Sequence, residues 1–207
     1  MRPSGYCTGG AFGGGSQADT FGLVSPKFVQ IASHTEFPVV NPASKKSGDI
    51  SFRSGGVCTM RWITREDAKV DRIACPWLIK RFVDREADFL FVPADKVMVV
   101  AKAEGAIPYD VPGVELGHVD GRCSFESIML KYGLAEAPGL GELAKIVHAA
   151  DVDQDIDTYP EGRGLQAIAK GLSIVHGRDD HRKIMLENPM YDALYAWCLE
   201  RAKRKAA

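Results

Sequence analysis

Several things are scarce in this sequence, and each scarcity excludes something. No run of about 18 or more apolar residues occurs, so no membrane span is expected. Only five cysteines are present, Cys7, Cys58, Cys75, Cys123 and Cys198, an odd number at wide spacings with no CxxC pair. That pattern argues against a disulfide framework or a zinc knuckle and fits a reducing cytoplasm. Charge of one sign is also lacking. Lys and Arg number 26 against 27 Asp and Glu, a net charge of −1. Bulk charge therefore does not tether the chain to nucleic acid or membrane, although a local basic patch stays open. The N-terminus has Arg2 but no continuous apolar core after it, so no secretory leader is expected. The glycine loops of nucleotide-binding proteins, the nucleophile elbow of hydrolases and the HExxH zinc helix are missing as well.

What is present divides near Met60. Residues 1–59 hold 10 of the 21 glycines but only 8 of the 53 charged residues, with no sustained period of a helix or strand. Such composition buries too little apolar area to offset the entropy of ordering. It reads either as a disordered tail or as sequence upstream of a natural start at Met60. The second is favoured because Met60-Arg61-Trp62-Ile63-Thr64 begins a strand-like run at once. Residues 60–207 then make a domain large enough for a single core.

Within that domain, residues 61–64, 88–92 and 106–110 read as short strands, and 94–104 as a helix stopped by Gly105. Ser124 is the expected cap of a helix reaching Gly133. Leu143, Ile146, Val147 and Ala150 share one helical face, as do Leu165, Ile168, Ala169 and Leu172 before Gly177. Asn188-Pro189 reads as the start of a last helix, and residues 177–183 as a solvated charged turn before it. The sum is an α+β fold, helix-rich, with a small sheet formed early in the domain.

Three segments offer chemistry. In Asp71-Arg72-Ile73-Ala74-Cys75-Pro76-Trp77, Pro76 suits a helix's first turn, which sets Cys75 beside a helix N-terminus. A thiolate or a bound anion is favoured there, and Arg72 and Arg81 add forked donors for an oxyanion. The plain alternative is that Cys75 and Trp77 are core and the arginines pair with nearby carboxylates. The second segment is glycine-rich and carries Glu115, His118, Cys123 and Glu126 within twelve residues. Carboxylate and imidazole together suit zinc, manganese or iron. Equally, Glu126 serves as a helix N-terminal charge and His118 as a satisfied histidine. In the third, His148 and Asp151 are helix neighbours. Asp151 borders an apolar face, where a buried carboxylate needs a partner such as a metal or His118. The run Asp153, Asp155, Asp157 lacks the glycine and glutamate of a calcium loop and reads as a solvated acidic loop.

These residues together resemble a known family. The segments 71–79, 89–93, 113–118, 123–126 and 191–198 follow, in order, the motifs of the chromate-resistance domain at the C-terminal end of ChrB proteins. The resemblance implies a bacterial protein that lowers chromate accumulation, often beside a chromate efflux system. Longer members carry an N-terminal domain linked to transcriptional regulation. Residues 1–59 do not resemble it, so the chain resembles a stand-alone form for which nucleic acid is not the expected partner.

The resulting expectation is a cytoplasmic protein of chromate or oxyanion stress. His118, Glu126 and Asp151 would hold a divalent metal with Glu115 as a further ligand. Arg72 and Arg81 would face the anion, and Cys75 would be the reactive thiol. The competing expectation is a non-catalytic sensor or binding module.

Overall fold

The computed structural model describes residues 60–206. The expectations about residues 1–59, a tail or an upstream extension, lie outside the described residues.

The chain begins with strand β1 (Arg61–Arg65), whose Trp62, Ile63 and Thr64 are fully buried. It lies at the centre of a three-stranded parallel sheet between β2 (Asp88–Val92) and β3 (Ile107–Pro108). Burial on both faces is what a parallel sheet requires, and helices supply it. Alternation along β1 divides the core. Trp62 joins Phe89, Tyr109 and the large helical cluster, while Ile63 meets Val97, Ala101 and Val111 around helix α2 (Val97–Glu104). Gly105, at φ 62°, ends α2 in the left-handed conformation that glycine adopts without strain. The third strand is shorter than the sequence suggests. β3 is an edge strand, so the missing amide of Pro108 costs no ladder bond, and the Tyr109 N–H donates to Ile63 O at 3.0 Å before the chain turns away at Asp110.

Helix α1 (Val70–Phe82) crosses from β1 to β2 and packs against every helix of the large cluster: α3 (Ser124–Lys131), α4 (Leu140–Asp151), α5 (Pro160–His176) and α6 (Asp180–Ala206). It starts at Val70, so Pro76 lies in its second turn rather than its first. A proline there leaves the carbonyl four residues earlier without its helical donor. That carbonyl is Arg72 O, and the buried Tyr109 hydroxyl donates to it at 3.4 Å. The helix thus continues through its proline because a side chain from the loop after β3 supplies the missing donor.

Helix α6 also differs from the expected course. It runs from Asp180 straight through Pro189, so the expected turn is confined to residues 177–179 and residues 180–183 already belong to the helix. Two charged residues of its first turn, Asp180 and Lys183, are buried for a reason. Lys183 Nζ pairs with Asp180 Oδ1 at 2.8 Å, and both side chains are essentially inaccessible. Asp180 accepts the Ala68 N–H at 2.8 Å and Lys183 donates to the Ala68 carbonyl at 2.8 Å. The pair therefore grips both backbone groups of the residue that leads into α1. One turn on, Glu187 is buried with neither carboxylate oxygen hydrogen-bonded. Burial raises its pKa to about 7, against the lowering influence of Lys183. No helix among the described residues is long and apolar enough to cross a membrane.

Two stability predictions follow from α6. Lys183→Met strands the Asp180 carboxylate in the core and should cost about 3–5 kcal/mol in urea unfolding, as for other broken buried pairs. Glu187 binds its proton more tightly folded than unfolded, so the folded state holds the extra proton between its ordinary pKa of 4.5 and about 7. Stability should accordingly fall as pH rises through that window, by roughly 2–3 kcal/mol. Glu187→Gln should flatten this slope, and an unchanged pH profile would remove Glu187 as its source.

Candidate functional site: an acidic cleft around His118

The site forms beyond the carboxyl ends of β1 and β3, where parallel sheets leave a crevice and the following helix presents its N-terminus. Arg65 closes β1, and Asp71 and Arg72 lie in the first turn of α1. Asp110 follows β3, Ser124 opens α3 and Asp151 ends α4.

Asp71 is buried and accepts two amides of the α3 N-terminus: Ser124 N–H to Oδ2 at 2.6 Å and Phe125 N–H to Oδ1 at 3.1 Å. It caps a helix 53 residues downstream. The Asp71 N–H in turn donates to Asp151 Oδ1 at 3.3 Å. Asp110 sits at φ 49°, a left-handed conformation that Asp tolerates better than most residues. Its N–H donates to Leu116 O at 3.0 Å, closing a tight loop that carries His118 back over the cleft. Gly117 is required in that loop. A Cβ there would lie 2.5 Å from Val111 O, a backbone atom that has nowhere to go. Ser124 Oγ donates to Asp110 Oδ1 at 3.1 Å, and Arg65 Nη2 donates to Oδ2 at 3.2 Å.

Three carboxylates from three elements meet at one ring nitrogen. His118 Nε2 lies 3.2 Å from Asp151 Oδ2, 3.4 Å from Asp110 Oδ1 and 3.6 Å from Asp71 Oδ2. One N–H cannot satisfy three acceptors at those distances. Hydrogen bonding to Asp110, Asp151 and Asp71 pushes the His118 pKa up to about 12. Burial raises Asp71 to about 6, outweighing the hydrogen bond from His118. Burial acts the same way on Asp110, but His118, Arg72 and Arg65 together overcome it and hold that carboxyl below its usual range. The cleft measures about 190 Å³ and has a basic side formed by Arg65, Lys69 and Arg72. Arg72 Nε is buried 3.7 Å from Asp110 Oδ2 and makes no hydrogen bond.

The remaining expected residues fall elsewhere. Cys75 is the sixth residue of α1, fully buried, with its thiol 3.5 Å from Asp71 Oδ1 as donor. Burial, and then the Asp71 charge, push its pKa well up, so the expected thiolate beside a helix N-terminus is corrected to a neutral core thiol. Arg81 is not beside Arg72 in the anion-facing wall. It is paired with Asp192 of α6, with Nε 2.9 Å from Oδ1, and Trp77 Nε1 shares that oxygen at 2.8 Å. Glu115 is exposed and holds Lys131 Nζ at 2.7 and 2.8 Å rather than facing the cleft. Glu126 is separated from His118 by its own partners. It accepts the Cys123 N–H at 3.0 Å and lies 2.7 Å from His148 Nδ1. The helix cap is Cys123, not Ser124. Of the expected metal ligands, the cleft brings together His118 and Asp151, and it adds Asp71 and Asp110, which the sequence reading had not proposed as ligands. The periodicity of α1 held a signal for Asp71, since it precedes Ala74, Cys75 and Leu78 on the buried stripe. No sequence signal marks Asp110, whose role depends on a backbone turn.

Comparison with known proteins gives a consistent result. The family model described as "ChrB, C-terminal domain" matches residues 62–198. Protein ChrB of Cupriavidus metallidurans is 35% identical over 111 residues, which cover 54% of this chain and 32% of that protein. The chain thus matches about a third of that relative's length. No solved structure matches.

The Cys75 assignment has a direct test. Brief treatment of the folded chain with iodoacetamide at neutral pH should leave Cys75 unlabelled in peptide mass analysis, whereas denatured chain should label fully. Native labelling at Cys75 would restore the reactive thiol.

Proposed function

Because this chain belongs to the family of the ChrB C-terminal domain, we propose that it serves in chromate resistance by binding a divalent metal and, through it, a tetrahedral oxyanion. The observation that carries this reading is the convergence of Asp71, Asp110 and Asp151 oxygens on His118 Nε2. Asp71, Asp110 and His118 already offer ligand atoms within 4.8 Å of one another. A cation held by these groups would replace the imidazolium proton and let the carboxylates share one central charge. Three oxygens and one nitrogen make a hard donor set, suited to manganese or iron rather than to thiophilic ions.

Charge decides what comes next. Without a cation, imidazolium His118 joins Arg65, Lys69 and Arg72 against three carboxylates, which leaves one net positive charge, and the acidic residues still repel a dianion from the floor of the cleft. With a dication bound and His118 neutral, the cleft carries an excess of two positive charges, which chromate or sulfate would neutralise. Arg72 lies on the same wall, its Nε 3.7 Å from Asp110 Oδ2 and its Nη2 donating to Asp67 O at 3.0 Å, and forked guanidinium donors match oxyanion geometry. The chain's own residues then have distinct roles. Asp71 and Asp110 fix the cation's place because both are already held by backbone or hydroxyl donors. His118, half-exposed on its loop, gives up a proton as the cation enters.

Manganese(II) titration followed by electron paramagnetic resonance tests this. One equivalent should bind the full chain, and His118→Ala or Asp151→Asn should weaken binding by more than about tenfold, a loss typical of disrupted metal sites. Chromate or sulfate should bind the metal-loaded protein far more tightly than the metal-free one. Equal anion binding with and without metal would sink the reading.

A further inference from the structure

A second cluster lies at the start of α3, formed by residues that the cleft does not use. Cys123 Sγ, a Glu126 carboxylate oxygen and a His148 ring nitrogen lie within 4.8 Å of one another. Cys123 is fully buried, and His148 and Glu126 are largely so. His148 Nδ1 faces Glu126 Oε2 at 2.7 Å, and Nε2 lies 3.0 Å from Asp155 Oδ2.

We infer that this cluster is a separate site for a thiophilic divalent cation of the zinc class, with Cys123, Glu126 and His148 as ligands and Asp155 as the residue that orients the imidazole. Two features beyond the clustering support it. First, Cys123 occupies the helix N-cap, in a capping box with Glu126. Ser, Thr, Asp and Asn are the favoured caps, and a thiol is a poor substitute for them. Local helix energetics therefore do not account for cysteine here, whereas a soft metal ligand does. Second, metal-bound histidines almost always donate their far N–H to a carboxylate, which fixes the tautomer and strengthens the bond to the metal. His148 already has that arrangement, with Asp155 behind Nε2 and Glu126 in front of Nδ1. A thiolate, an imidazole and a carboxylate leave the fourth corner of a zinc tetrahedron for water or an added ligand. On binding, the Cys123 thiol releases its proton to solvent, as does the Nδ1 of His148 where the ring is charged, while Nε2–H stays directed at Asp155 and no electron transfer is involved.

This site is independent of the cleft around His118, and the two are separable by experiment. Cobalt(II) added to the full chain should give a thiolate-to-metal charge-transfer absorption in the near ultraviolet that saturates at one equivalent and is displaced by zinc. Cys123→Ser should fold, because serine is the better N-cap, and should abolish the band. His148→Ala should weaken cobalt binding at this band by at least tenfold. His118→Ala and Asp151→Asn should leave it unchanged even where they abolish manganese binding. A band that survives Cys123→Ser would assign the thiolate to another cysteine and overturn the proposal, as would the absence of any band in the unmodified chain.

Discussion

The Asp71 carboxylate is the constraint on which both the packing and the site depend. It is taken out of water at the first turn of α1 and would be costly there alone. Two backbone amides at the α3 N-terminus offset that cost, and the positive end of that helix adds to them. The bond joins two helices that are distant in the chain. It also sets the direction of the carboxylate: Oδ2, which accepts the Ser124 amide, is the same oxygen that faces His118. A ligand positioned this way cannot swing, since moving it uncaps a helix. Preorganisation of the cleft is therefore a by-product of how α3 is held.

Other groups extend that constraint outward. Tyr109 satisfies the carbonyl that Pro76 leaves open, which ties the loop after β3 to the same turn of α1. Asp110, the next residue, turns left-handed and lays His118 over Asp71. On the opposite side, Lys183 and Asp180 clamp Ala68 and so fix where α1 begins. Each of these is a side chain correcting a backbone defect or holding a backbone group. Each also moves a functional atom toward one point. Rigidity at the cleft comes from backbone accounting rather than from local apolar packing.

This explains what the sequence made legible and what it hid. Strands at 61–64, one residue short of β1, and 88–92 announced themselves because buried parallel strands are short apolar runs, and the amphipathic faces of α4 and α5 show the helical period directly. The family resemblance was legible too, since ordered motifs survive without knowledge of contacts. Two prolines misled in the same way. Pro76 and Pro189 look like helix starts, yet both lie within helices because tertiary partners or an exposed face tolerate the lost hydrogen bond. His118 and Asp151 were recognisable as candidates from residue type and periodicity. Their pairing with Asp71 and Asp110, and the diversion of Glu126 to His148, depend on which helix ends meet. Sequence separation carries no information about that.

Cys123 and Ser124 are consecutive, yet they serve clusters of opposite chemical character. Ser124 gives its amide to Asp71 and its hydroxyl to Asp110, on the oxygen-rich side. Cys123 gives its amide to Glu126, on the side that holds sulfur and imidazole. Raw affinity for divalent ions rises along the same series for almost any ligand set, so selectivity must come from donor type and geometry. Placing a hard set and a soft set on adjacent residues of one helix start achieves that with a single backbone anchor. On the proposed reading, a thiophilic ion would favour the Cys123 set, which would leave the carboxylate cleft to harder ions and to the oxyanions they attract. The short stretch from Cys123 to Glu126, one of the segments on which the family resemblance rests, thus holds the helix cap, two of the three proposed soft donors and the groups that anchor Asp71 and Asp110.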